Sequence, residues 1–242
     1  MKSALSLRRV PLANAQAHPL RSVVIIFLAL AQAACVFGGF ILVAAARNEL
    51  SLAERRLGAD LVVYPTSCLN QVDKKRLLML GTPVDCHQQR SALARMSSNE
   101  DIASVSHQLY VSETLSDGST RWIVGFEPET DFVLGPWMRE GERASLPRGS
   151  VAVGSAVPGA DGQTLSVFGE EHPINAHLLA TGSELDNAVF VSMDTLSDIV
   201  AHARAAGKDI DATVDPSSDY SAALVRTSGS DTIESVTNWI NL

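Results

Sequence analysis

The chain has 242 residues, with 19 Lys and Arg against 27 Asp and Glu, a formal net charge of −8, 46% hydrophobic residues and a mean hydropathy of +0.11. Nucleic acid is held by clustered Lys and Arg, so an acidic balance of this size argues against that class of partner. The charge is also unevenly placed: Lys2, Arg8, Arg9 and Arg21 precede residue 23, and every acidic residue follows residue 46.

Residues 1–22 (MKSALSLRRVPLANAQAHPLRS) are basic and broken by Pro11 and Pro19. Leu5, Leu7, Val10 and Leu12 interleave with Arg8 and Arg9, which suits either an amphipathic segment at a membrane interface or a disordered basic tail. Pro19 suits the first turn of a helix, where its missing N–H leaves nothing unpaired.

Residues 23–46 (VVIIFLALAQAACVFGGFILVAAA) form a run of 24 residues without a charge. As a helix they extend about 36 Å, enough to cross a hydrocarbon core of about 30 Å with some tilt. A signal peptide has an apolar core of about 7 to 15 residues, shorter than this run, although Ala44-Ala45-Ala46 imitates a cleavage site. A lipoprotein signal is disfavoured by Gln32 in Gln32-Ala33-Ala34-Cys35, and a buried soluble helix by the lack of any polar residue except Gln32. The run therefore reads as a retained transmembrane helix. The cationic flank is expected to place residues 1–22 in the cytoplasm and residues 47–242 outside.

The helical pattern continues past the apolar run, with Leu50, Ala53 and Leu57 at helical spacing, so residues 47–58 are expected to form a stalk that Gly58 stops. Residues 59–64 (ADLVVY) are β-rich and end at Pro65. Residues 66–89 read as a long loop or insertion, and residues 89–97 as a short helix. Ile102–Thr114 alternates as a strand, Asp117-Gly118 signals a hairpin, and Thr120–Phe126 is expected to return antiparallel. Residues 135–149 are loop-like. Short strands at 151–154, 164–168 and 172–180, separated at Asp161-Gly162 and at Gly169-Glu170-Glu171, suggest a small, barrel-like β-rich subdomain. A strand at 188–193 leads to a helix at 195–206 capped by Asp194 and ended by Gly207. After an acidic loop, residues 222–226 read as a strand. Asp231-Thr232-Ile233-Glu234 looks like a capping box opening a final helix with Ile233, Val236 and Ile240 on one face. The fold class is α+β: one transmembrane helix with its stalk, then a ferredoxin-like domain interrupted by a β-rich subdomain.

The series His18-Pro19-Leu20-Arg21-Ser22, the apolar helix, and then residues 54–65 (ERRLGADLVVYP) resembles the start of permease subunits of the MacB/FtsX-like class of ABC transporters. Residues 122–132 (WIVGFEPETDF) resemble a segment of one branch of these permeases, residues 150–155 (SVAVGS) a strand common to the class, and residues 181–191 (TGSELDNAVFV) its late strand and loop. The resemblance implies a cytoplasmic lead at 1–22, a membrane helix at 23–46, a stalk at 47–58 and a MacB-like periplasmic domain at 59–242, in a cell inner membrane. It also implies a separate cytoplasmic ABC ATPase as partner, contact with the lipid bilayer, and a second permease chain or a homodimer. Three further membrane helices follow the outer domain in the class. The sequence ends at Asn241-Leu242, so a partial subunit is the expectation.

The residues supply little chemistry. There is no Gly-x-Ser-x-Gly, and Gly154-Ser155-Ala156 at a strand end is not a nucleophile elbow. No phosphate loop is present, so neither ATP binding, nor a cofactor, nor an enzymatic activity is expected. The acidic pairs Glu170-Glu171 and Asp209-Asp211 read as solvated loops. Cys35 lies in the apolar run. Cys68 and Cys86 fall in the outer region, where oxidation is permitted, and are candidates for a disulfide. A metal set of Cys68, Cys86 and His87 has suitable atoms but lacks CxxC spacing and a fourth ligand, and unpaired thiols are the third reading. His172 and His177, five apart on a strand, are expected on opposite faces, with His107 and His202 isolated. Trp122, Trp137 and Trp239 are expected in the core or at a membrane interface. Two functional classes remain: a permease component driven by an ATPase, and a single-pass anchored binding or sensor domain that works without one.

Overall fold

The computed structural model describes residues 18–68, 83–138 and 146–240. The candidate amphipathic segment at Leu5 to Leu12 and the basic run Lys74-Lys75-Arg76 lie outside them. The chain divides into two compact units, Met1–Ala53 and Glu54–Leu242. Helix α1 runs unbroken over Pro19–Leu57. Its stretch Pro19–Ala45 has a mean hydropathy of 2.4, is 0% buried, and is the one helix among the described residues long and apolar enough to cross a membrane. A helix that is apolar on every face belongs inside a large core or a bilayer. It ends at Leu57, and Gly58 follows at φ +72°, a conformation that strains any residue with a side chain.

The second unit is built on a mixed sheet. In chain order its strands are β1 (Leu61–Val63), β3 (Ile102–Thr114), β4 (Thr120–Phe126), β5 (Val151–Val153), β6 (Thr164–Val167), β7 (Glu170–His177), β8 (Val189–Ser192) and β10 (Ala222–Thr227). Their order in space is β1-β10-β3-β4-β8-β5-β7-β6. Pairs β4/β8 and β5/β7 are parallel and the others antiparallel. Strands β2 (Gln88–Gln89) and β9 (Asp219–Tyr220) form a separate antiparallel pair. The β-rich middle of the sequence therefore adds β5, β6 and β7 to one end of the common sheet and closes no barrel of its own.

Period-two alternation sends consecutive side chains to two cores, one on each face. Leu109, Val111, Ile123, Val151, Val153, Val189 and Val191 face helix α2 (Met193–Ala205) and pack with its Leu196, Ile199, Val200 and Ala203. Tyr110, Val124, Phe126, Ala152 and Phe190 face the other way, toward Leu134, Met138 and Leu178. Leu196, Ile199 and Val200 are at most 1% exposed, and such a side chain contributes about 1.5–3 kcal/mol by leaving water. Two glycines make this packing possible. A Cβ on Gly125 would stand 2.4 Å from Leu196 Cδ2, and one on Gly154 would stand 2.4 Å from the carbonyl oxygen of Asp186.

Several local expectations need correction. Residues 90–98 form a 3₁₀ segment, Arg90–Ser98, because Ser97 and Ser98 donate to the carbonyls of Ala94 and Arg95 three residues back and compete with α-helical bonding. Helix α2 is capped by Ser192, whose Oγ accepts from Thr195 N, and not by Asp194, which already lies in its first turn. Glu170 and Glu171 open β7. The turn before them is made by Phe168 and Gly169, both at positive φ. The last helix, α3, spans Ile233–Ile240 and buries Val236.

Candidate functional site

A groove of about 600 Å³ lies in the Glu54–Leu242 unit. Edge strand β1, which pairs on one side only with β10, supplies Val62 and Tyr64. The 3₁₀ segment supplies Leu93 and Arg95, and the end of α3 supplies Trp239 and Ile240. Its volume falls in the range of small-molecule sites. Arg95 lies over the Trp239 ring at 4.9 Å from its centre, a cation–π contact that holds the indole across the groove. Arg95 is the charged residue among the described lining. No Cys, His, Asp or Glu joins it, so the groove offers no acid–base pair or nucleophilic thiol. Burial pushes the Tyr64 hydroxyl up to about 12, and burial also raises Tyr220, which keeps both phenols neutral. The arrangement can hold an apolar group beside one fixed cation.

A polar lattice surrounds Arg90, at the start of the 3₁₀ segment. Its Nη1 donates to Glu127 Oε1 at 2.7 Å, its Nε to the carbonyl of Asp219 at 3.0 Å, and its Nη2 to the carbonyl of Pro216 at 2.9 Å. One guanidinium thus ties the 3₁₀ segment to β9 and to β4's end, with all three donor nitrogens used. His107 Nε2 stands 3.0 Å from the same Glu127 oxygen. Burial, followed by the Arg90 charge, lowers His107 below the ordinary histidine range, against the opposing pull of Glu127.

A second arrangement holds the chain just after α1. The carbonyl of Gly58 accepts from Arg226 Nη2 at 3.2 Å, and the same guanidinium stacks 4.4 Å from the Phe132 ring centre. Asp60 Oδ2 accepts from Thr227 N at 2.8 Å and from its hydroxyl at 3.1 Å. Val133 packs where a Gly58 side chain would go, 3.2 Å from a would-be Cβ. Residues 58–60 are therefore fastened to β10 and its surroundings by charge-assisted bonds.

Cys68 and Cys86 are joined as a disulfide, with Cα atoms 5.7 Å apart. Their sulfurs are then no thiolate ligands, and His87 turns to Asp219 (3.6 Å) and Asp211 (3.9 Å) instead. Among the described residues no group of three or more His, Cys, Asp and Glu is placed to hold a metal ion. Gly154-Ser155 sits after β5 and serves backbone packing. Cys35 is exposed on α1. Trp122 and Trp137 pack at the margin of the second core and Trp239 at the groove. Sequence reasoning passed over Arg90, Arg95 and Arg226. Each is a lone basic residue in sequence, and its partners are 37 to 168 residues away. Nor did Asp60 carry a signal: an acidic residue before a strand reads as solvated until Thr227 is brought beside it.

No family model matches this chain, and no curated protein matches it. Among solved structures, the extracellular domain of a noncanonical ABC-type transporter, YknZ, from Gram-positive bacteria aligns over 72% of this chain and 86% of that one, at 11% identity and a TM-score of 0.34.

Proposed function

We propose that the chain is the first membrane helix and extracytoplasmic domain of a MacB/FtsX-like ABC permease subunit, without enzymatic activity of its own, working with a separate cytoplasmic ATPase. The observation that carries this reading is the unbroken helix Pro19–Leu57. It leads from an apolar stretch of membrane length to the outer sheet with only Gly58, Ala59 and Asp60 between them. A hydrogen-bonded helix transmits displacement along its axis, and Arg226 and Thr227 secure the residues that receive it. The basic flank of Lys2, Arg8, Arg9 and Arg21 supports a cytoplasmic N-terminus and an outer domain on the opposite side. Motion driven by nucleotide would pass through this path mechanically, and the outer domain would act on its cargo by moving.

The test is co-expression of the chain with the ATP-binding subunits encoded in its own genome, followed by purification in detergent. One of these subunits is expected to co-purify in fixed ratio. Association with none of them would overturn the reading. The groove beside Arg95 and Trp239 favours a second reading in that event, a membrane-anchored binding domain that works without an ATPase.

A further inference from the structure

Leu61, Val62, Val63 and Tyr64 line the groove in unbroken succession. Successive side chains of a strand point to opposite faces of a sheet, so a cavity on one face touches alternate residues only. Contact with four in a row places the groove along the edge of β1, where the backbone itself is reached. The other edge is taken: Leu61, Val62 and Val63 pair with Val225, Leu224 and Ala223 of β10, and β1 is the terminal strand of its sheet. In an antiparallel pair the N–H and C=O groups of successive residues alternate between facing the partner strand and facing away. Among the described residues no other strand pairs with β1, so it turns backbone donors and acceptors toward the groove. Its Leu61–Val63 stretch carries no charge to repel an added strand, and Val62 is 45% exposed.

We propose that the groove receives an extended segment of another polypeptide, which adds to β1 as a further strand and sets a carboxylate against Arg95. Residues 61–64 offer about 13 Å of edge, enough for a segment of about four residues. Main-chain bonds to β1 hold the segment, and every second side chain of it enters the groove. Leu93 and Met96 of the 3₁₀ segment, with Trp239 and Ile240 of α3, give those side chains an apolar wall. Arg95 sets the chemistry of one of them. It is exposed, stands 4.9 Å from the centre of the Trp239 ring, and has no Asp or Glu beside it in the described lining. A guanidinium alone in an apolar groove selects an anion, and a carboxylate matches its planar fork. A lipid or other amphiphile would use the wall and Arg95 but leave the β1 backbone without partners, and the edge-on course of the groove therefore favours a peptide. The proposal concerns the outer unit alone and does not depend on an ATPase partner.

The experiment uses the full chain in lipid nanodiscs, which keeps free detergent out of the groove. It is titrated with fluorescein-labelled hexapeptides that alternate Thr with Val, Leu or Phe and carry one Glu, and binding is read by fluorescence anisotropy against empty nanodiscs. At least one peptide of the set is expected to bind, one per chain. Methylating the alternate backbone nitrogens that face β1 should weaken that peptide at least about 10-fold, and methylating the other alternate set should weaken it much less. Changing the peptide's Glu to Gln and making Arg95→Gln in the chain should each cost about 10-fold, with no further loss when the two are combined, and Arg95→Lys should recover part of the loss. Arg95 is exposed, so these variants keep the fold. Absence of saturable binding across the set, or binding that neither methylated form weakens, would overturn the proposal. The second result would assign the groove to side-chain or amphiphile capture. Two chains per particle joined through β1, with the peptides excluded, would overturn it in favour of a second copy.

Discussion

Glu113 and Arg121 are opposite each other on β3 and β4, are both buried, and form an ion pair in which Arg121 donates to Glu113 Oε2. The other carboxylate oxygen accepts from Phe168 N at 2.6 Å, and Arg121 also donates to the carbonyl of Ser166. The pair thereby holds the β6–β7 turn, where Phe168 takes φ +49°, against the central hairpin. Removing one member leaves the other charge buried without a partner, which costs about 3–5 kcal/mol, whereas the pair as a whole adds less than that. Glu113→Ala is therefore expected to lower the urea midpoint of the outer domain by an amount in that range, followed by the fluorescence of Trp122, Trp137 and Trp239. Glu113→Gln, which keeps an acceptor for Phe168, should lose less. Equal losses in the two variants would mean that the carboxylate charge carries the whole effect and the acceptor alone contributes nothing. In the sequence this pair was invisible as a pair, since Glu113 is one charged residue at the end of an alternating strand, beside a turn. Only the antiparallel register brings it across from Arg121 and away from water.

At the scale of elements, legibility followed the range of the interactions. The β3–β4 hairpin could be read at its full length because its signals are local: alternation on both sides, and Asp117-Gly118 between them. In the structure Asp117 Oδ1 accepts from Ser119 N, and Gly118 takes φ +82°. The stop of α1 at Gly58 was legible for the same reason. The pair β2/β9 was not, because two residues carry no period and Gln88 meets Tyr220, 132 positions further along the chain. Residues 66–89 read as a loop, and in the structure their two ends are clamped by Cys68–Cys86 with a sequence separation of 18. A bridge across that length stabilises by about 3 kcal/mol, chiefly by restricting the unfolded chain. The Cys68→Ser/Cys86→Ser double variant is expected to lose that amount in a urea melt. Reducing agent should bring the parent chain to the same midpoint and leave the double variant unmoved.

For the whole molecule, the decisive contrast lies between an apolar helix and the acidic region that follows it. Four basic residues and no acidic ones lie ahead of the uncharged run 23–46, and the positive-inside rule weights that cationic flank. A reporter active only outside the cytoplasm, fused after Leu242, is expected to be active, and the same reporter fused before Met1 to be silent. Replacing Lys2, Arg8, Arg9 and Arg21 with neutral residues should erode that difference. The reverse pattern in the parent chain would place the outer domain in the cytoplasm and remove the basis for an ATPase partner at residues 1–22. By itself the sequence determined the membrane-length helix, its stop at Gly58, the central hairpin and the α+β class, because each rests on composition, on periodicity or on a turn of a few residues. Tertiary structure alone decided the parallel pairings of β4 with β8 and β5 with β7, and the burial of Glu113 with Arg121. It also decided the fastening of Gly58 by Arg226 and the placing of Arg95 and Trp239 in one groove with the open edge of β1. Those features depend on which distant backbones lie within a few ångströms of each other, and no short window of sequence carries that distance.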